Sequence, residues 1–112
     1  SMFSFFKTKP KNYSDLSCED FKKGMNEKDA VIIDVRTAGE FNSGKLKGAR
    51  NIDIMGSGFM AQVQNLPKDK KYYVYCRSGN RSGQACEVMA KLGFQNLNNM
   101  AGGIMSWPYE VA

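Results

Sequence analysis

Histidine is absent from the chain, and that absence removes much of the usual catalytic repertoire. Ser-His-Asp and Cys-His nucleophile activation both need an imidazole, as do His-based metal sites. Cysteine is scarce. Cys18, Cys76 and Cys86 cannot all pair, and their spacing fits no zinc pattern, so a reducing compartment and a cytoplasmic location are expected. No apolar run approaches the ~18 residues of a membrane span, and no membrane partner is expected. The apolar start at Phe3, Phe5 and Phe6 meets Lys7 within a few residues and lacks a small-residue cleavage site, so it reads poorly as a signal peptide. Dense basic patches are missing too. The formal net charge is +5, yet the basic residues are scattered, with mild excesses at Lys7, Lys9 and Lys11 and at Lys68, Lys70 and Lys71. That pattern argues against nucleic acid and for a small anionic partner.

What is present is organised around Tyr72-Tyr73-Val74-Tyr75-Cys76-Arg77-Ser78-Gly79-Asn80-Arg81-Ser82-Gly83. Tyr72 to Tyr75 is a short β-prone run. Gly79 and Asn80 are expected as loop residues. Gln84 to Leu92 is rich in helix formers and stops at Gly93. Cys76 is therefore predicted at the C-terminal end of a strand, beneath a helix N-terminus. Backbone N–H groups can curl round an anion there, with the positive end of the helix dipole behind them. Arg77 and Arg81 add full charges. A thiol so placed ionises below its reference value of about 8.5, which makes Cys76 the candidate nucleophile.

At 112 residues the chain is expected to form one domain over residues 15–112, after a partly flexible lead-in over residues 1–14. Ser17 begins the first predicted element as an N-cap, with Asp20 three residues on and Phe21 and Met25 sharing a helical face. Cys18, in its first turn, reads as packing. Ala30 to Val35 is an apolar run suited to a strand covered on both faces, interrupted by Asp34 near its C-terminal end. Thr37 and Glu40 spell a second capping box, and Gly44 stops that short helix. A strand is expected over Ala49 to Ile54, a helix over Phe59 to Leu66, a short run over Gln95 to Met100, a turn at Gly102-Gly103 and a last helical turn over Ile104 to Trp107. This alternation predicts an α/β fold, a mostly parallel sheet with helices on both faces.

Other patterns carry less. Gly39 to Lys45 spells a phosphate-loop pattern, but Leu46 stands where a Ser or Thr should bind magnesium, and the lysine follows a helix instead of opening one. Asn12-Tyr13-Ser14 and Asn80-Arg81-Ser82 are formal glycosylation triplets without a secretory signal. Cys86 reads as core, with a resolving thiol as the alternative.

Three motifs in order resemble the single-domain rhodaneses, a sulfurtransferase family. The first is Asp34-Val35-Arg36, Glu40-Phe41, Gly44, Leu46, Gly48-Ala49 and Asn51-Ile52. The second is Cys76 to Ser82, and the third is Gly102-Gly103 followed by Trp107. The resemblance covers roughly residues 15 to 109. It implies a five-stranded sheet and a persulfide formed on Cys76. The loop Arg77, Ser78, Gly79, Asn80, Arg81 and Ser82 would hold the substrate sulfur, with Arg81 closing the loop and Arg77 at its mouth. Thiosulfate or a similar donor would give sulfur to cyanide or a thiol, the latter small or on a protein, and no cofactor or metal is implied. Arg36 and Glu40 are expected as a structural ion pair, and Asp34 as structural. Lys45 stands where the family usually has histidine. It reads as a surface lysine, or as added positive potential if it lies near the loop.

Rival readings share the same loop. Cys-dependent phosphatases also use a thiolate and an arginine, but place one more residue between them than the four here, Arg77 to Asn80. The smaller ring suits a single sulfur atom. Arsenate reduction, a persulfide carrier serving a protein partner, and a non-catalytic rhodanese-like module are the remaining alternatives. The last is at odds with the presence of Cys76, Arg77 and Arg81.

Overall fold

A computed structural model describes residues 11–112. The Phe3, Phe5 and Phe6 cluster, Lys7, Lys9 and most of the predicted lead-in lie outside them. Five strands form one sheet: β1 (Ser14–Leu16), β2 (Ala30–Asp34), β3 (Arg50–Asn51), β4 (Lys71–Tyr75) and β5 (Leu97–Met100). Their order is β1-β5-β4-β2-β3, and every pairing is parallel. The helices are α1 (Cys18–Met25), α2 (Ala38–Ser43), α3 (Phe59–Gln64) and α4 (Asn80–Lys91), with a 3-10 turn at Ile104–Ser106.

The period-two alternation of strand side chains sorts the core into two layers. Tyr72 and Val74 of β4, and Cys76 just after it, pack with Ile33 and Val35, with Phe59 and Val63 of α3, and with Ala85, Cys86 and Met89 of α4. Tyr73 and Tyr75 point the other way, onto Phe21 of α1, Leu46 and Met100. Phe21 meets both tyrosines edge-on, with centroids 5.4 and 6.3 Å apart. β4 is thus covered on both sides, which its unbroken apolar reading implies.

The topology also places a crevice. The connection from β2 runs through α2 to β3 at one edge, whereas the connection from β4 runs through α4 to β5 on the other side. Chain leaving neighbouring strands in opposite directions opens a gap beyond their C-terminal ends, where α/β proteins bind ligands. Cys76 directly follows β4 at that gap.

Three local readings change. The first element is β1, not the helix after Ser17. β1 is a polar edge strand, held by backbone pairing to β5, and so it carries no hydrophobic signal. β3 is shorter than Ala49 to Ile54. Beyond Asn51 the chain follows β2 and its continuation through Ile52 N–H to Asp34 O (2.9 Å) and Ile54 N–H to Val35 O (3.1 Å). The helix after Cys76 begins at Asn80, not Gln84. Gly79, at φ 97°, makes the turn abruptly enough for Asn80, Arg81 and Ser82 to be its first turn.

Candidate active site

Cys76 lies where β4 ends and is fully buried. The chain then turns through Arg77, Ser78 and Gly79 into α4, which directs N–H groups back at the sulfur. Gly79 N–H donates to Cys76 Sγ at 3.1 Å, and Ser82 Oγ lies 3.3 Å from it. Burial alone would raise the thiol above its ordinary value. Hydrogen bonds from the Ser82 hydroxyl and from the Ser82, Ser78 and Gly79 amides outweigh burial, and the thiol is held lower. The N-terminus of the twelve-residue α4 acts in the same direction. No imidazole takes part in this lowering.

A second segment backs the loop. Ile104 N–H donates to Cys76 O at 2.9 Å and Met105 N–H to Arg77 O at 3.0 Å. Gly103, at φ 69°, lies so close that a Cβ there would run into the Arg77 carbonyl and the Ser78 nitrogen. The Gly-Gly turn is therefore part of the loop's support. Asn99 of β5 adds a side-chain brace, its Nδ2 donating to Gly79 O at 3.2 Å.

Among the loop residues read from sequence, Ser78, Gly79 and Ser82 converge on Sγ. Asn80 and Arg77 face outward. Asn80 Oδ1 accepts from Gln84 at 3.4 Å, and the exposed Arg77 side chain makes no hydrogen bond or ion pair among the described residues. Arg81 is half-buried. Its guanidinium grips Glu40 of α2 through Nη1–Oε1 at 2.8 Å and Nη2–Oε2 at 3.0 Å. That contact corrects the expected Arg36–Glu40 pair. Arg36 instead chelates Asp34, with Nη2 to Oδ2 at 2.6 Å and Nε to Oδ1 at 3.0 Å, and reaches Gly44 O at 2.6 Å. Asp34 is fully buried and Arg36 6% exposed, so the two charges neutralise each other inside the fold. Asn51 Nδ2 seals the pair's backbone by donating to Asp34 O and Arg36 O.

The remaining candidates fall outside the sulfur site. Lys45 is half-buried and lays its ammonium 5.0 Å from the centre of the Phe41 ring. Gly39 lies inside α2, so the phosphate-loop pattern forms no loop. Cys86 is fully buried in the core, and burial pushes its thiol up to about 12. Cys18 is half-buried and also raised by burial. Among the described residues no group of three or more His, Cys, Asp or Glu side chains is placed to hold a metal ion.

Asn99 escaped the sequence reading. Its signal was a polar residue in a short strand between Leu97 and Met100, both buried. Such a residue needs partners, and here they belong to the site.

Comparison with known proteins agrees with this geometry. A family model described as "Rhodanese-like domain" matches residues 17–109. A protein named "Sulfurtransferase" from Allochromatium vinosum is 33% identical over 79 residues, covering 70% of this chain and 72% of that one. An uncharacterised Bacillus subtilis protein, YqhL, is 36% identical over 92 residues, covering 82% and 70% of the two chains. The crystal structure of a rhodanese-related protein from Thermoplasma volcanium superposes with a TM-score of 0.77 at 33% identity. It covers 89% of this chain and 98% of that one.

Proposed function

The chain belongs to the rhodanese-like domain family, and we propose that it is a sulfurtransferase that carries a sulfane sulfur on Cys76. The thiolate attacks the outer sulfur of a donor such as thiosulfate. An S–S bond to Cys76 forms, the donor's S–S bond breaks, and sulfite departs with the electron pair. An acceptor nucleophile, cyanide or a thiolate, then attacks the outer sulfur, and Cys76 leaves again as thiolate. The cycle is covalent and ping-pong, with no external oxidant or reductant.

The observation that carries this reading is the convergence of Gly79 N–H and Ser82 Oγ on a buried sulfur at the N-terminus of α4. The same donors favour Cys76 as an attacking thiolate and as a leaving group, and both steps require that. The remaining loop amides suit the outer sulfur of the persulfide. The exposed Arg77 suits the oxyanion end of the donor, since a guanidinium fork matches paired oxygens. The partners would be a small anionic sulfur donor and a cyanide or thiol acceptor, the thiol small or on a protein.

The test is intact mass after incubation with thiosulfate, with and without cyanide, on wild type and Cys76→Ser. Wild type should gain one sulfur, roughly 32 Da, and lose it to cyanide, while Cys76→Ser gains nothing. The same gain on Cys76→Ser would overturn the assignment. Release of phosphate from an aryl phosphate, with no mass gain from thiosulfate or polysulfide, would favour the phosphatase reading.

A further inference from the structure

Asn99 is 3% exposed, and its carboxamide is engaged at both ends. Nδ2 donates to Asp15 Oδ1 at 2.9 Å and to Gly79 O at 3.2 Å. Both partners are pure acceptors, so they fix which end of the amide is nitrogen. Oδ1 is left facing Ser82 Oγ at 2.5 Å. The Ser82 hydroxyl therefore has two acceptors within reach, Asn99 Oδ1 and Cys76 Sγ at 3.3 Å, and one hydrogen to give. With a protonated sulfur the chain runs smoothly: S–H to Ser82 Oγ, Ser82 O–H to Asn99 Oδ1. With a thiolate, turning the hydroxyl to sulfur leaves a buried carbonyl oxygen without a donor, which is costly.

We propose that the Ser82 hydroxyl is a two-position hydrogen-bond switch, and that Asn99 is a positioning residue whose Oδ1 competes with the Cys76 thiolate for its hydrogen. The inference rests on reading Cys76 as the reacting sulfur. In the persulfide, Sγ is a neutral divalent atom and a weak acceptor, so the hydroxyl turns to Asn99. As the acceptor nucleophile takes the outer sulfur, the electron pair of the breaking S–S bond returns to Sγ, and the hydroxyl swings back to it. No proton changes owner; only the hydrogen bond moves. Asn99 thus provides the hydroxyl's resting place in one half of the cycle and opposes the thiolate in the other.

The charged groups around the switch are Arg81 of α4 held by Glu40 of α2, the Asp34–Arg36 pair of β2, Asp15 of β1 held by Lys11, and Glu87 farther along α4. None of these residues is substituted; Asn99→Ala removes one hydrogen bond to Asp15, equally in both Ser82 backgrounds.

The experiment is an ultraviolet thiolate titration of the full chain in a Cys18→Ser background, comparing Ser82, Ser82→Ala, Asn99→Ala and the double variant. The Cys86 thiol, pushed up to about 12, titrates well above the window. Ser82→Ala should raise the Cys76 midpoint. Asn99→Ala should favour the thiolate about threefold more when Ser82 is present than when it is already alanine, the size of one net hydrogen bond. Loss of the Gly79 tether occurs in both backgrounds and cancels in that comparison. An equal effect of Asn99→Ala in the two backgrounds, or a larger thiolate gain without Ser82, overturns the switch. Asn99→Leu, close in shape, enters the same comparison if the alanine variant does not fold. A wild type that titrates as expected but takes no sulfur from any donor would refute the proposed function and leave the switch standing.

Discussion

Arg81, in the first turn of α4, is locked to Glu40 of α2 by two parallel N–H···O contacts of 2.8 and 3.0 Å. The Glu40 carboxylate also accepts from the Thr37 backbone, closing the capping box at the start of α2. One carboxylate thus ties the start of the sulfur loop's helix to the element that follows β2. The arginine hydrogen bonds come first among the effects that hold Glu40 well below the ordinary carboxylate range, at about 2.

That depression sets a pH dependence with a defined sign. The folded value lies below the unfolded value of about 4.5, so the pair's contribution is present above about 4.5 and is lost as pH falls toward about 2. Both side chains are partly exposed, at 25% and 31%, which limits the contribution to about 1–3 kcal/mol. Urea unfolding of wild type and Glu40→Gln should differ by that amount at neutral pH and converge in acid. A gap that persists below the Glu40 midpoint would refute the linkage. Arg81→Ala should keep the fold and lose most sulfur transfer, read as kcat/KM for thiosulfate, because the loop's first helical turn loses its anchor.

Cys86 provides the contrast to Cys76. It sits inside α4 and not at its N-terminus, with no donor N–H or O–H of the described residues aimed at it, and burial drives its thiol up to about 12. Such a thiol is a poor nucleophile at neutral pH, which argues against a resolving role. Cys86→Ser should therefore lower thermal stability, since it puts a hydroxyl into the core, and leave the persulfide mass gain on Cys76 intact. Loss of that gain in a folded Cys86→Ser protein would restore the resolving-thiol reading.

The Asp34–Arg36 pair carries the largest predicted stability effect. Asp34 has no solvent contact, and Arg36 is its counter-charge. Arg36→Met removes the cation and leaves the buried carboxylate uncompensated, at about 3–5 kcal/mol. Adding Asp34→Asn removes the stranded charge, so the double variant should recover part of that loss. Equilibrium unfolding of the three proteins checks this. A double variant no more stable than Arg36→Met would show that the arginine acts through packing on Tyr75, whose ring centre it approaches at 5.6 Å, and not through charge.

What the sequence revealed and hid follows from the range of the interactions. The Cys76 loop was legible because its parts are contiguous: a β-prone run, a Gly, and helix formers in one stretch from Tyr72 to Leu92. The Thr37–Glu40 capping box was legible for the same reason. The true partner of Glu40 was not, because Arg81 is forty-one residues away and the carboxylate already had a local role. Arg36 was mispaired because a buried aspartate two residues earlier claims it, and burial cannot be read from Asp-Val-Arg alone. β1 and Asn99 were hidden together. Each is polar, and each is fixed by neighbours from the opposite end of the chain, as the Asn99–Asp15 bond shows.

The Gly102-Gly103 turn separates a conformational need from a packing need. Gly103 has φ 69°, in the left-handed region, and a Cβ there would collide with backbone atoms of Arg77 and Ser78, which have nowhere to move. At Gly102 the nearest atom to an added Cβ is the Cβ of exposed Ser106 at 3.2 Å, a contact that a shift of a few tenths of an ångström would relieve. Gly103→Ala should therefore cost about 2 kcal/mol or more in stability and push directly on the peptides that line the sulfur site. Gly102→Ala should cost less than about 1 kcal/mol and leave transfer near wild type. The two variants differ by one methyl group each, on adjacent residues, so thermal unfolding and thiosulfate kinetics on the pair isolate the loop contact. For Gly103→Ala the loss in kcat/KM should persist well below its melting temperature, where the protein is folded. A folded Gly103→Ala protein with wild-type kinetics would mean that the turn supports the sheet edge alone, and that the loop around Cys76 holds its shape without it.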